Sequence, residues 1–390
     1  MSAPTGTPPR GATELTGGRL ADLARTSLHD RAGSGRTVRH DVVDASVQVR
    51  PREQADLRAY LPRVWGDRRL PSGERYYYPN VLGDYLREAY DGDGPPGSDP
   101  ELLERHLFVD SPVTMAVLNP LTLGLLPDID LLTAICSATN EWLASTWLDR
   151  PGADQRYRGS IRVAPGDAEA AVREIERWAD DPRFVQVSVP LQSLQPYGKR
   201  SFWPIWRAAA ERGLPVMIRA DAETGVEFAP SASGYFRTFL GFASYQPLTL
   251  VNHLASLMVE GVFDDLPEFR VVFGDGGWDF AATMMWRMDK DYRPMRPDMP
   301  WMSRLPSEYL LDNVRFVSRL NEGPTDDALV DEWAVMSDAE RVLLYGSGYP
   351  AWDFLPVDGL LPSADEHLRR RVLLENAHDL YRGLPTGGDR

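Results

Sequence analysis

Short apolar runs alternate with amphipathic ones along most of the chain. Residues 41–49, DVVDASVQV, set Val43, Ala45, Val47 and Val49 against Asp44, Ser46 and Gln48, the period of two expected of a strand, and Arg50 and Pro51 stop it. Runs of strand length recur at 113–118, 159–163, 184–189, 214–218, 269–273, 314–317 and 342–345. Between them the apolar period lengthens to that of a helix. One helix spans 131–148, and the next is capped by Asp167, with Ala171, Ile175 and Trp178 on one face. A third covers 201–212 with Gly213 as its stop, and others lie around 248–261 and 366–381, the last followed by Gly383. Eight strands separated by helices predict the α/β class and a (β/α)8 TIM barrel.

The flanks break the rhythm. Residues 1–40 are rich in Gly, Pro, Ser, Thr and Arg and read as a mobile tail, or as an arm that embraces another subunit; the barrel occupies 41–390. Between the first two strands, residues 52–112 form a long connection carrying VLGDYLREAY and the cluster Tyr76, Tyr77 and Tyr78. Connections of this length are lids, binding loops or interfaces, and a satellite hydrophobic cluster is the plainer alternative.

Composition narrows the function classes. The 42 basic against 57 acidic side chains give a net charge of −15, which argues against a nucleic-acid or anionic-membrane surface. The single Cys136 excludes a disulfide framework and any multi-cysteine zinc site, and its amphipathic surroundings make it a small core residue. No apolar run reaches membrane-spanning length and no signal core opens the chain, so a cytoplasmic protein is expected.

In this architecture the active site lies at the C-terminal ends of the strands. Those ends carry Ser46 and Gln48 on strand one, Gln192 after strand four, Arg219 and Asp221 on strand five, and Asp275 within GDGGWDF after strand six. Strand seven offers Ser318 and Arg319, and strand eight Ser347. Trp278 and Asp279 could line the pocket, or serve as a packed aromatic and a helix cap. All six histidines fall in the tail or in predicted helices and loops; His253 alone could face the mouth from its helix.

From about residue 41 onward the chain resembles the amidohydrolase-related family, in the branch similar to aminocarboxymuconate-semialdehyde decarboxylase. The carrying motifs are WPIWRAAAERGLPVMIRA, LASLMVEGVFDDLPEFRVVFGDGGW, WRMDKDY, PSEYL, RVLLYGSGYPAWDF and ENAHDLYRGL. The resemblance implies one divalent metal, often zinc, held by a His-x-His or Asp-x-His pair at the end of strand one, a histidine after strand five, sometimes a histidine or carboxylate at strand six, and an aspartate after strand eight. Here Ser46 and Gln48 stand at the first pair, Arg219 at the strand-five position and Gly348 at the strand-eight aspartate, leaving Asp275 as the one candidate ligand. Catalytic zinc needs about three protein ligands, and a permanent cation at position 219 opposes any metal.

No metal or other cofactor is therefore expected. Three readings stand. The chain is a catalytically silent subunit that stabilises or regulates a metal-bearing relative, as homo- or hetero-oligomer. Or it is a metal-independent lyase, decarboxylase or hydrolase in which Arg219 holds a carboxylate or oxyanion, with Asp275, Asp221 or Glu223 as acid or base. Or it is a small-molecule binding module. Loss of several ligands at once favours the first. Substrate contacts are expected from Ser46, Gln48, Gln192, Arg319, Ser347 and Trp278, and Arg219 paired with Asp275 could equally be a buried ion pair.

Overall fold

A computed structural model describes residues 41–66, 70, 85–122, 126–220, 237–274, 276–318 and 326–385. The eight expected strands form: β1 (Val43–Val49), β2 (Met115–Pro120), β3 (Tyr157–Arg162), β4 (Phe184–Pro190), β5 (Val216–Arg219), β6 (Val271–Phe273), β7 (Val314–Val317) and β8 (Leu343–Leu344). They pair in sequence order, every ladder parallel. Backbone bonds from Ala45 N–H to Tyr345 O (2.9 Å), Gly348 N–H to Ser46 O (3.1 Å) and Gln48 N–H to Tyr349 O (2.8 Å) join the end of β8 to β1. The molecule is a (β/α)8 barrel.

The helices form where their caps and apolar stripes direct. Asp128 and Asp167 accept the N–H groups of Leu131 and Ala170 to start α1 (Ile129–Leu143) and α2 (Ala168–Trp178). Helix α3 (Trp203–Glu211) gives way at Gly213, whose φ of 62° lies in the left-handed region. Helix α4 (Phe239–Val259) begins earlier than the expected start at 248: it is capped by Thr238 and continues through Pro247. A proline removes one helical N–H, so the sequence points to a break there; the helix tolerates the loss. Helices α5 (Trp278–Met295), α6 (Pro306–Asn313) and α7 (Asp327–Met336) follow, and α8 runs from Glu366 to Leu380 through a wider turn at Arg371–Glu375.

The strands are buried on both faces, the outer one against the helices. Inside the barrel's N-terminal end, Val43, Met115, Val185, Met217, Val272 and Leu344 pack against Ala377, Tyr381 and Leu384, so the end of α8 and the residues after it plug the base. Above them lies a polar layer. The Gln186 amide donates to Asn119 Oδ1 (3.0 Å) and Ser160 Oγ (2.8 Å), Ser160 Oγ donates to Asn119 Oδ1 (2.9 Å), and Tyr381 Oη donates to Gln186 Oε1 (3.0 Å). Each buried polar atom of this layer answers another, which offsets the cost of removing them from water.

Cys136 is buried beside Leu132 and Ala164, the core role expected of it. In the described part of the β1–β2 connection, Leu103 and Leu107 join the main core, and Leu86 N–H donates to Pro350 O at 2.9 Å. Tyr76, Tyr77, Tyr78 and residues 1–40 lie outside the described residues. Among the described residues no helix is long and apolar enough to cross a membrane.

Candidate ligand pocket at the barrel mouth

Strand β1 does not keep the simple alternation of its sequence. Asp44 pairs with Ala116 but Val47 with Leu118, so β1 holds one residue more than β2 over that interval, a β-bulge. Val43 and Ala45 consequently pack inside the barrel, while Val47 and Val49 pack outside against the helices. The bulge re-aims the end of the strand: Gln48 comes level with Asn119 of the interior polar layer.

Asp44 holds this bulge in place. Its Oδ1 accepts the N–H of Ser46 and the N–H of Ser347, both at 3.0 Å, so one carboxylate ties the β1 bulge to the turn after β8. Burial pushes its pKa up to about 6 against the opposing bonds from Ser347 and Ser46. The turn is further shaped by Gly346, where an added Cβ would lie 2.2 Å from Val317 Cγ1 and 2.9 Å from Ser46 Cβ, and by Gly348 at φ 70°. Ser347 Oγ accepts the Tyr349 N–H at 3.0 Å. Ser347 therefore braces the turn.

Two buried arginines occupy the mouth. Arg219 ends β5 with none of its surface exposed, two residues beyond Met217, whose Sδ contacts the interior amide of Gln186. Arg162 ends β3 at 1% exposure, two residues beyond Ser160, and its Nη1 donates to Ser188 Oγ at 3.3 Å. Alternation along β3 and β5 places both guanidinium groups on the inner side. The backbone of Arg162 is clamped by Asn140, whose Oδ1 accepts its N–H (2.7 Å) and whose Nδ2 donates to its carbonyl (2.8 Å) and to Glu174 (3.0 Å). On β1, neither the nitrogen nor the oxygen of the Gln48 amide, nor the Ser46 hydroxyl, has a hydrogen-bond partner among the described residues, and both side chains are buried.

Gln192 is half-buried in the loop after β4. Trp278 is buried in the core between barrel and helices. Helix α5 is capped by Gly277, so Asp279 stands in its first turn, where burial raises its pKa. Asp221, Glu223, Asp275 and Arg319 lie outside the described residues. His253 has both ring nitrogens engaged: Nδ1 accepts the Tyr197 N–H at 3.2 Å and Nε2–H donates to Leu191 O at 2.8 Å, with the ring stacked on Tyr197 at 4.4 Å. Burial pulls its pKa down to about 4. The neutral ring links α4 to the loop after β4, and offers no lone pair to a ligand.

The described side chains at these strand ends are poor metal donors. At the strand ends stand a hydroxyl, an amide and a guanidinium, and among the described residues no three His, Cys, Asp or Glu side chains are grouped to hold a metal ion.

Arg162, Ser188, Gln186, Ser160 and Asn119 escape a reading confined to the residues just past each strand. The signal was present as polar residues at every second position of YRGSIR and FVQVSVP, strands otherwise apolar enough to be buried on both faces.

The fold and mouth define a (β/α)8 barrel with its polar centre at the strands' C-terminal ends. The amidohydrolase family model matches residues 96–383, and the chain belongs to that family. Solved structures share the fold. An amidohydrolase from Mycobacterium avium subsp. paratuberculosis K-10 aligns with a TM-score of 0.65 at 23% identity over 88% of this chain and 100% of its own. The 2,6-dihydroxybenzoate decarboxylase from Rhizobium aligns at 0.61 and 19% over 87% and 98%. The 5-carboxyvanillate decarboxylase from Novosphingobium aromaticivorans, with bound manganese, aligns at 0.64 and 18% over 88% and 96%. No curated protein matches the sequence significantly.

Proposed function

We propose that this chain is an amidohydrolase-fold protein that has exchanged the family's metal for guanidinium, and that its mouth binds a small carboxylate without metal-dependent turnover. The observation that carries this reading is the buried amide of Gln48, without a hydrogen-bond partner among the described residues, on the bulged strand of a barrel whose mouth also holds Arg219 and Arg162. Buried polar groups are nearly always hydrogen-bonded, so such an amide marks the place of a polar ligand or ordered water. A guanidinium presents a planar fork suited to a carboxylate. The Gln48 amide and Ser46 hydroxyl would then take a neighbouring hydroxyl or carbonyl, a demand that a hydroxylated aromatic acid meets. Two of the structural neighbours are decarboxylases of such acids. A barrel of this kind persists as a silent or ligand-sensing subunit, alone or beside a metal-bearing relative, because its outer helices still offer interface area.

The test is calorimetric titration of chelator-treated protein with 2,6-dihydroxybenzoate as probe, alongside elemental analysis and CO₂ release. Saturable binding without metal or turnover, weakened about tenfold or more by Arg219→Met and by Gln48→Leu, supports the reading. CO₂ release without metal would instead make the site a metal-independent decarboxylase. One equivalent of manganese or zinc per chain, or no binding at all, would sink the guanidinium assignment.

A further inference from the structure

At the opposite end of the barrel a cleft of about 460 Å³ opens beside the starts of β6 and β7, lined by four arginines and three aspartates. The aspartates are engaged. Asp312 takes Arg304 on Oδ2 (2.6 Å) and Arg341 on Oδ1 (3.0 Å). Asp264 accepts from Tyr309 Oη (2.7 Å) and from the Ser303 hydroxyl (2.8 Å) and N–H (3.0 Å), and Asp379 takes Arg371 (3.0 Å).

The remaining two cations are Arg270, just before β6, and Arg315 on β7. Arg315 Nη1 donates to the carbonyls of Leu311 (3.1 Å) and Val314 (2.8 Å), and Arg270 Nη1 to those of Pro267 (2.7 Å) and Phe269 (3.2 Å). Among the described residues the one carboxylate within ion-pair distance of either is Glu268, 3.9 Å from Arg270 and 85% exposed. Backbone carbonyls thus fix one nitrogen of each guanidinium, and neither is held by a close carboxylate: Glu268 stands off Arg270, while Asp379 and Asp312 act on Arg315 through their charge alone. Burial, and then the charges of Arg270 and Arg341, pull Arg315 down to about 10 against the smaller opposing charges of Asp379 and Asp312.

We propose that this basal cleft is a second ligand site, taking a small dianionic oxyanion, a phosphate or phosphoryl group, between Arg270 and Arg315. Two guanidinium forks prefixed by main-chain bonds match tetrahedral phosphate oxygens and lose little freedom on binding. The site owes nothing to the mouth.

The full chain is titrated calorimetrically with inorganic phosphate and, separately, with phenyl phosphate, against sodium chloride matched for ionic strength. One-site saturable binding is expected, weakened about tenfold or more by Arg315→Met and by Arg270→Met and unchanged by Arg219→Met. Arg270→Met, outside the strands, keeps the test readable if Arg315→Met does not fold. Tighter phenyl phosphate than inorganic phosphate identifies the phosphoryl group of a larger ligand, and the reverse order identifies free phosphate. No saturable heat with either probe, or full affinity in folded Arg270→Met, overturns the site.

Discussion

The Oδ1 of Asp44 accepts the backbone N–H of Ser347 at 3.0 Å, a contact spanning 303 positions of chain, and with the same atom accepts the N–H of Ser46. The barrel's first and last strands thus meet on one carboxylate. Its pKa, raised from 3.8 to about 6, means that the folded state prefers the protonated acid by about 3 kcal/mol relative to the unfolded chain. That contribution is fully present below pH 4 and is lost as pH rises through 6. Asp44→Asn keeps the acceptor and removes the charge, so urea melts at pH 7.5 should show it equal to or more stable than wild type. The advantage should shrink at pH 5. Asp44→Ala strands two backbone N–H groups and should cost about 1–3 kcal/mol at both pH values. Strong destabilisation by Asn at pH 7.5 would mean that the carboxylate's charge is needed.

His253 gives the opposite sign. Its folded pKa of about 4 lies below the ordinary 6.5, so the unfolded chain takes up the proton first and stability falls as pH drops from 6.5 toward 4, by up to about 3 kcal/mol. His253→Gln should flatten that slope in a pH series of denaturant melts. Because the ring bridges Tyr197 N–H and Leu191 O, affinity for a mouth ligand should move little at pH 7.5. A large loss of affinity in a fully folded variant would return the histidine to the site.

Much of the architecture was legible in the sequence because burial on both faces writes each strand as an apolar run, and Arg219 was legible because it ends such a run. The orientation of β1 was not. Val43, Ala45, Val47 and Val49 read as one face, and only the extra residue between Asp44 and Val47 divides them between interior and exterior. A bulge is a relation between two strands, so a single strand's pattern cannot announce it. Arg162 was hidden for a related reason: an arginine in mid-pattern reads as a solvated position until the strand is known to be enclosed.

Gly346 should resist substitution. A Cβ there would stand 2.2 Å from Val317 Cγ1, with Ser46 Cβ close on the other side. Gly346→Ala should cost about 1–3 kcal/mol of stability through overpacking. Val317→Ala, which deletes the clashing methyl, should cost less in the Gly346→Ala background than in wild type, giving a favourable coupling in a double-mutant cycle of denaturant melts. Simple additivity would mean that the backbone of the β8 turn relaxes instead.

Restoring two of the family's ligands should not restore a metal site. Arg219→His with Gly348→Asp supplies one imidazole and one carboxylate, with Asp275 the one further candidate the sequence offers, but Ser46 and Gln48 still leave the strand-one pair of ligands empty, and His253 has both nitrogens committed. Position 348 also sits at φ 70°, a conformation that costs a side chain about 1 kcal/mol or more, although aspartate bears it better than most residues. The double variant, loaded with zinc or manganese and passed over a desalting column, should retain well under one equivalent by elemental mass spectrometry. Adding Ser46→His and Gln48→His completes the donor count and should be the first combination to hold metal stoichiometrically. Tight one-to-one zinc in the double variant alone would place ligands elsewhere in the mouth and overturn the assignment of positions 46 and 48.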